Sequence, residues 1–106
     1  MTKHKLFEMA EVIRSKNSGP YELTFDIIFK DIGHFEAFVA ANVMTKTAFA
    51  AAYNIDEAQI SSIIPFAAAK AVKITIIRPM PSGNLGEKDI YGAQQHAPLL
   101  NFEYDL

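Results

Sequence analysis

Three stretches of the sequence alternate large apolar side chains with small or polar ones, and this period of two constrains the fold most strongly. Successive side chains of a β-strand point to opposite faces, so each stretch predicts a strand with one buried face. The chain must therefore bury one side of a sheet. The large residues are Leu23, Phe25, Ile27 and Phe29 in the first stretch, Val72, Ile74 and Ile76 in the second, and Leu100, Phe102, Tyr104 and Leu106 in the third.

Shorter apolar segments predict further strands. Residues 6–13 have an ambiguous period and are interpreted as a strand, and the isoleucines at 60–64 predict another that stops before Pro65. Pro79 is expected to end the strand at 72–77. The polar segment 14–20 ends in Gly-Pro and is predicted to be a turn or hairpin loop.

Two helices are predicted between the strand pairs. Asp31 and Thr45 are suitable N-cap residues, because their side-chain oxygens can accept hydrogen bonds from the first turn of a helix. The first helix is expected to stop near Asn42, and the second to run through Tyr53 with Phe49 one turn earlier. The apolar residues at helical spacing in the first helix are Ile32, Phe35, Phe38 and Val39.

With one further turn at 56–59, the order is two strands, two helices and two or three strands. This order predicts an α+β fold of the ferredoxin-like type, with a sheet of four or five mainly antiparallel strands and both helices packed on one face. The other sheet face carries Ile28 and Ile77 among polar residues, which makes it too apolar to lie open to water across its whole width. We expect that face to meet a partner.

Composition excludes several classes of function. A chain of 106 residues is expected to form one domain, and a formal net charge of −2 with interleaved signs gives no footprint for nucleic acid or an anionic membrane. Zero cysteines exclude disulfides, thiolate metal sites and a cysteine nucleophile. No apolar run has the length of a membrane span, and no signal-peptide core follows the basic N-terminus. We therefore expect a soluble cytoplasmic protein without a cofactor.

The segment 78–98 is rich in proline and glycine, has no periodicity, and ends in a cluster of amides and a histidine. Such a long irregular stretch in a small domain is more often a working surface than a connector. His96 is the candidate general acid or base, because histidine titrates near neutral pH; the alternative is a structural hydrogen-bonding role. The candidate ligand-binding residues of this loop are Arg78, Ser82, Gly83, Asp89, Tyr91, Gln94 and Gln95.

A second group of candidate ligand-binding residues lies in the predicted loop at 14–20. Arg14, Lys16 and Asn17 place two cations and an amide together, which suits a carboxylate or phosphate ligand, and Ser15 adds a hydroxyl. Asp26 on the next strand is a weaker candidate that could orient a histidine or an arginine. The alternative is an ordinary solvated hairpin, and the sequence leaves both interpretations open.

Metal and serine-hydrolase chemistry find little support in the sequence. His4, His34 and His96 are far apart and show no paired spacing such as His-x-x-x-His, so no metal site is predicted. Ser82 has no nucleophile-elbow context, and the sequence identifies no acid to orient His96.

Two dense motifs carry a family resemblance. The first reads Arg14-Ser15-Lys16-Asn17, Gly19-Pro20, Leu23-Thr24 and Asp26-Ile27-Ile28-Phe29, and the second reads Arg78-Pro79, Pro81-Ser82-Gly83, Gly86, Asp89 and Tyr91 through Leu100. Over essentially the whole chain, they resemble the bacterial domain of unknown function 4387 family. That family looks like a relative of the ferredoxin-fold domain associated with AtuA, the acyclic terpene utilisation protein.

The resemblance implies an accessory or small-subunit role beside a larger AtuA-like protein, in catabolism of carboxylic acids or their coenzyme A thioesters. Residues 14–20 and 78–98 would complete an anion or carboxylate site of that complex, and the family has no established catalytic residues. The alternative is a small homo-oligomeric lyase or isomerase that uses His96 as general acid or base and Arg14 or Arg78 to hold a carboxylate. Both hypotheses are compatible with a homodimer.

Overall fold

The computed structural model describes residues 2–19, 21–77 and 97–106. The described helices are α1 (Leu6–Met9), α2 (Ile32–Ala40), α3 (Lys46–Tyr53) and α4 (Ala97–Leu100), with 3-10 turns at Glu57–Gln59 and Ala67–Ala69. The described strands are β1 (Lys3–Lys5), β2 (Ala10–Gly19), β3 (Glu22–Phe29), β4 (Ile60–Phe66), β5 (Ala71–Ile77) and β6 (Glu103–Asp105). No helix in these ranges is long and apolar enough to cross a membrane.

The main sheet has four antiparallel strands in the order β2-β3-β5-β4. It consists of two hairpins joined side by side through the central pair β3 and β5. Leu23 lies opposite Ile76, and Phe25 lies opposite Ile74, so the large residues of both strands share one face. The predicted alternation of the first stretch is confirmed, since Leu23, Phe25, Ile27 and Phe29 are all fully buried.

Helices α2 and α3 cover that apolar face. Both predicted N-caps are confirmed: the Asp31 carboxylate accepts from His34 N at 2.8 Å, and the Thr45 hydroxyl accepts from Ala48 N at 3.0 Å. Phe49 and Tyr53 lie one turn apart in α3 and stack with ring centroids 4.4 Å apart. Phe25 of β3 packs against Phe49 at 5.3 Å and Tyr53 at 5.2 Å.

A second, two-stranded sheet pairs β1 with β6, so that His4 lies opposite Tyr104. It joins the core through Tyr104, which packs against Phe38 of α2 with ring centroids 5.1 Å apart. Thr2 and Leu106 close this ribbon by exchanging two backbone hydrogen bonds of 3.0 Å. The two described ends of the chain therefore meet at the edge of the helical layer.

The beginning of the chain differs from the prediction of a strand at 6–13. Leu6–Met9 forms a helical turn, and the strand starts at Ala10. Leu6 and Ala10 are buried and Met9 is half-buried, so the apolar positions recur at three and four residues, which is the helical period.

The segment 14–20 was predicted to be a loop, and this is wrong for residues 14–19, which continue β2. Arg14 pairs with Asp26, and Lys16 pairs with Thr24. These residues look like a loop in the sequence because β2 is an edge strand with one face open to solvent, where polar side chains are tolerated.

Two strand ends also differ from the prediction. β4 does not stop before Pro65 but runs on to Phe66; this is possible because β4 is an edge strand, where a missing N–H costs no ladder bond. At the other end of the chain, the predicted strand at 100–106 is reduced to Glu103–Asp105. Leu100 instead ends helix α4, which also includes Ala97 and Pro98 from the predicted loop.

The α+β class and the antiparallel four-stranded sheet are confirmed, and the ferredoxin-like topology is not. A ferredoxin-like chain runs β-α-β-β-α-β, with a hairpin between its two helices. Here α2 and α3 follow one another directly, and a hairpin lies on each side of the helical pair.

The hairpin between β4 and β5 turns through Lys70 in the left-handed conformation, at φ 53°. This conformation costs roughly 1–2 kcal/mol for a residue with a β-carbon and little for glycine. We expect the free energy of unfolding of Lys70→Gly to be higher than that of Lys70→Ala by about 1 kcal/mol, as measured by urea denaturation. Both variants remove the same side chain, so the difference reports the backbone alone, and equal stabilities would contradict the assignment.

Candidate functional site

The face of the main sheet opposite the helices carries a group of exposed apolar side chains. We call it the open face. Val12, Ile64, Phe66 and Ile77 project from three of its strands and are 37–46% exposed. Ile28 on β3 lies beside Val12 of β2, at the same end of the face as Phe66, whereas Ile77 lies at the other end. Ile28 and Ile77 are the apolar members of this face that the sequence predicts; the alternation within β2 and β4 adds the others.

A row of charged residues crosses the middle of the open face. The register places Asp26 between Arg14 on β2 and Lys73 on β5. Arg14 Nε donates to Asp26 Oδ2 at 3.2 Å, and the carboxylate is the more buried partner, with 19% of its side chain exposed against 64% for Arg14. Because Arg14 is largely exposed, solvent screens the ion pair and its contribution to stability is about 1 kcal/mol or less. Its clearer effect is to hold the Arg14 guanidinium in place on this face.

The structure brings together only some of the ligand-binding residues predicted between 14 and 26. Arg14, Lys16 and Asp26 lie on the open face, where Ser18 and Thr24 share a hydrogen bond of 2.8 Å. Ser15 and Asn17 are opposite Phe25 and Leu23 and therefore point to the other side of β2. The predicted anion-binding group of residues 14–17 is thus divided between the two faces of the sheet, because the segment is a strand and not a loop.

The remaining candidate residues belong to the segment 78–96 and lie outside the described residues. These are Arg78, Ser82, Gly83, Asp89, Tyr91, Gln94, Gln95 and His96.

A histidine pair appears where the sequence predicted none. His4 of β1 and His34 of α2 pack edge to face with ring centroids 5.0 Å apart, and His34 Nε2 lies 2.6 Å from the Tyr104 hydroxyl. The pairing of β1 with β6 brings His4 beside Tyr104, and the Asp31 cap fixes the first turn of α2, which carries His34. Residues 34 and 104 are 70 positions apart, so no local spacing in the sequence could reveal the group.

Burial keeps His34 and Tyr104 uncharged at neutral pH. Burial and the neighbouring His4 lower the pKa of His34 from 6.5, against a smaller opposite effect of Asp31. Burial also raises the pKa of Tyr104 to about 12. At neutral pH a neutral imidazole therefore faces a protonated phenol, and the pair has one donor and one acceptor in either histidine tautomer. The geometry suits a structural link between α2 and the β1–β6 ribbon.

Metal binding has no support in the ranges 2–19, 21–77 and 97–106. No group of three or more His, Asp or Glu side chains in these ranges is close enough to hold an ion. His4 and His34 with one tyrosine would leave a zinc ion short of ligands.

Comparison with known proteins gives a single family. Residues 6–103 match the family described as Domain of unknown function (DUF4387). No curated protein and no solved structure matches the chain. The family match covers almost the whole sequence but assigns no activity to it.

We predict that the His34 environment makes stability depend on pH. In the unfolded chain His34 takes up a proton near pH 6.5, and in the folded chain it does so only at a lower pH, because its pKa is lowered. In the pH interval between these two pKa values the unfolded state therefore binds more protons than the folded state. The free energy of unfolding should therefore fall on acidification through this interval, and His34→Gln should flatten that slope. Urea denaturation across the interval, with an NMR titration of the His34 ring, tests this; titration at or above 6.5 would contradict it.

The Tyr104 hydrogen bond gives a separate prediction. Tyr104→Phe removes the phenol that bonds His34 while keeping the packed ring, and should lower the free energy of unfolding by about 1 kcal/mol. Tyr21→Phe is the matched control, because Tyr21 is half exposed and should change stability little. In a double-mutant cycle, the effect of Tyr104→Phe should largely disappear in the His34→Gln background. Undiminished loss there would show that the two side chains are not coupled.

Proposed function

The chain belongs to the DUF4387 family, and from that premise we propose that it is a non-catalytic binding and assembly subunit. In this proposal the open face docks on a larger protein. The observation that carries it is the set of exposed apolar side chains Val12, Ile64, Phe66 and Ile77 on one sheet face. Antiparallel sheets tolerate one solvated face when that face is polar, and several large apolar side chains exposed on one such face indicate an interaction site.

The size of the face favours a larger partner over a second copy. Four strands about 4.8 Å apart and some seven residues long present an area of roughly 440 Å² in projection. A stable interface covers about 800 Å² on each partner. Two copies stacked face to face would bury little more than the area of the face itself. A larger subunit can also contact the edge strands β2 and β4.

The charges on the face indicate the chemistry of the partner surface. Arg14, Lys16 and Lys73 project from it beside Asp26 and Glu22, so positive charge is in excess. Apolar surface with an excess of acidic side chains is therefore the complement. Such complementarity mainly speeds association and fixes the register, and the apolar residues supply most of the affinity.

The resemblance of the Arg14–Phe29 and Arg78–Leu100 motifs extends this proposal to a specific partner. The larger protein would be an AtuA-like subunit that acts in the bacterial cytoplasm on carboxylic acids or their coenzyme A thioesters. The cations Arg14 and Lys16 at the edge of the face, with Arg78, would help to complete its anion-binding site. Neither a metal nor a cofactor on this chain is needed for that role.

We predict that Ile64→Glu breaks the complex with the AtuA-like protein of the same bacterium. Ile64 is 44% exposed on the open face; the matched control Ile32→Glu alters a residue of α2 that is 45% exposed. The substitution removes an isoleucine that the interface would bury and places a carboxylate opposite acidic groups of the partner. Association should therefore weaken at least about tenfold. Co-purification and light scattering should show a hetero-complex with the wild type and the control, and little with Ile64→Glu.

Two results would overturn the docking proposal. One is a wild-type chain that stays apart from the AtuA-like protein in light scattering. The other is equal loss of the complex in Ile64→Glu and Ile32→Glu. Turnover of a carboxylate by the isolated chain that disappears in His96→Ala, with the fold retained, would instead support the lyase or isomerase alternative.

A further inference from the structure

A cleft opens on the helical side of the main sheet, next to the edge strand β4. Its volume is about 320 Å³, within the range of small-molecule sites. Ile63 and Pro65 of β4 form its floor, Phe38 and Val39 of α2 form a wall, and the connection between α2 and α3 forms its rim. It is separated from the open face by the thickness of the sheet, because Ile63 and Ile64 point to opposite sides of β4.

The shape of the cleft is fixed by well-packed neighbours. Phe38, Val72 and Met44 line it and are almost fully buried, so they hold the floor in place. The rim is set by the end of α2, where Val43 N donates to Phe38 O at 3.3 Å and Asn42 takes a left-handed conformation. This is the Schellman arrangement, which closes a helix with a defined geometry. The cleft is therefore largely pre-formed in the isolated chain.

The lining is mainly apolar, with Asn42 and Thr45 as neutral polar residues and one charge. Lys46 is the cation at the rim, and the described lining includes neither aspartate nor glutamate. Lys46 is exposed and makes no ion pair with any residue in the described ranges. The neighbouring Thr45 hydroxyl is already engaged by Ala48 N as the cap of α3. An apolar trough with an unpaired cation at one edge complements a molecule with an aliphatic body and a negative end.

We propose that this cleft binds an aliphatic monocarboxylate, with the hydrocarbon along Val39, Val43 and Ile63 and the carboxylate at Lys46. A cavity of 150 Å³ holds benzene, with six carbon atoms, so 320 Å³ corresponds to about twelve non-hydrogen atoms. Octanoate has ten and is a suitable probe. The site lies wholly within this chain and does not depend on docking of the open face.

The test is an NMR titration of the isolated chain, labelled on its methyl groups, with sodium octanoate below its micelle concentration. Shifts should concentrate at Val39, Val43, Met44 and Ile63. Octanoate should bind about fivefold more tightly than 1-octanol, because an exposed ion pair with Lys46 is expected to increase the affinity by about this factor. Lys46→Gln should remove that preference, and the control Lys5→Gln, which alters an exposed lysine on β1, should keep it.

A second variant tests the apolar part of the cleft. Val39 is a partly exposed residue of α2, so Val39→Asp should fold while placing a carboxylate beside the bound chain. Octanoate shifts should then disappear, with unchanged circular dichroism as the check on folding.

Several outcomes would overturn the proposal. They are wild-type protein without octanoate shifts, shifts spread over the surface, equal affinity for 1-octanol and octanoate, or a preference that survives Lys46→Gln. Because no partner is present in the titration, any of these outcomes leaves the docking proposal standing. Conversely, failure of the co-purification leaves the cleft unaffected.

Discussion

The pairing of β3 with β5 is the constraint on which the rest of the structure depends. Their register aligns Leu23 with Ile76 and Phe25 with Ile74, which concentrates large side chains on one side of the sheet. Helices α2 and α3 then have a single place to bury Phe35, Phe38, Phe49 and Tyr53. A slip of one residue between the two strands would turn the large side chains of one strand to the opposite face, so the apolar alternation and the register determine each other.

This one-sided burial also explains the open face. Both helices lie between the two hairpins in the chain, and both pack on the same side of the sheet. The described elements supply no layer for the other side, yet β2, β4 and β5 place Val12, Ile64, Phe66 and Ile77 there. Exposed apolar residues in such an array are costly for an isolated domain, and a binding role gives them a physical reason.

The sequence predicted those elements whose local pattern and tertiary environment agree. Leu23 to Phe29 alternate because β3 is buried on one face along its whole length, and Asp31 and Thr45 cap helices through contacts within three residues. Residues 14–17 escaped recognition because an edge strand with an open face has the polarity of a loop. Pro65 suggested a strand end, although an edge strand accepts it. The His34–Tyr104 contact was out of reach, because it requires the three-dimensional pairing of β1 with β6.

The edge strand β4 connects the two proposed surfaces. Its residues alternate, so Ile63 and Pro65 form the floor of the cleft while Ile64 and Phe66 belong to the open face. A partner seated on the open face and a carboxylate seated in the cleft would therefore contact opposite sides of the same seven-residue strand. On its outer edge this strand has no neighbour among the described strands, which leaves it easier to displace than β3 or β5. If one ligand shifts β4, the affinity for the other changes by a factor that must be the same in both directions. Coupling between assembly and carboxylate binding would thus have to pass only through the thickness of one strand.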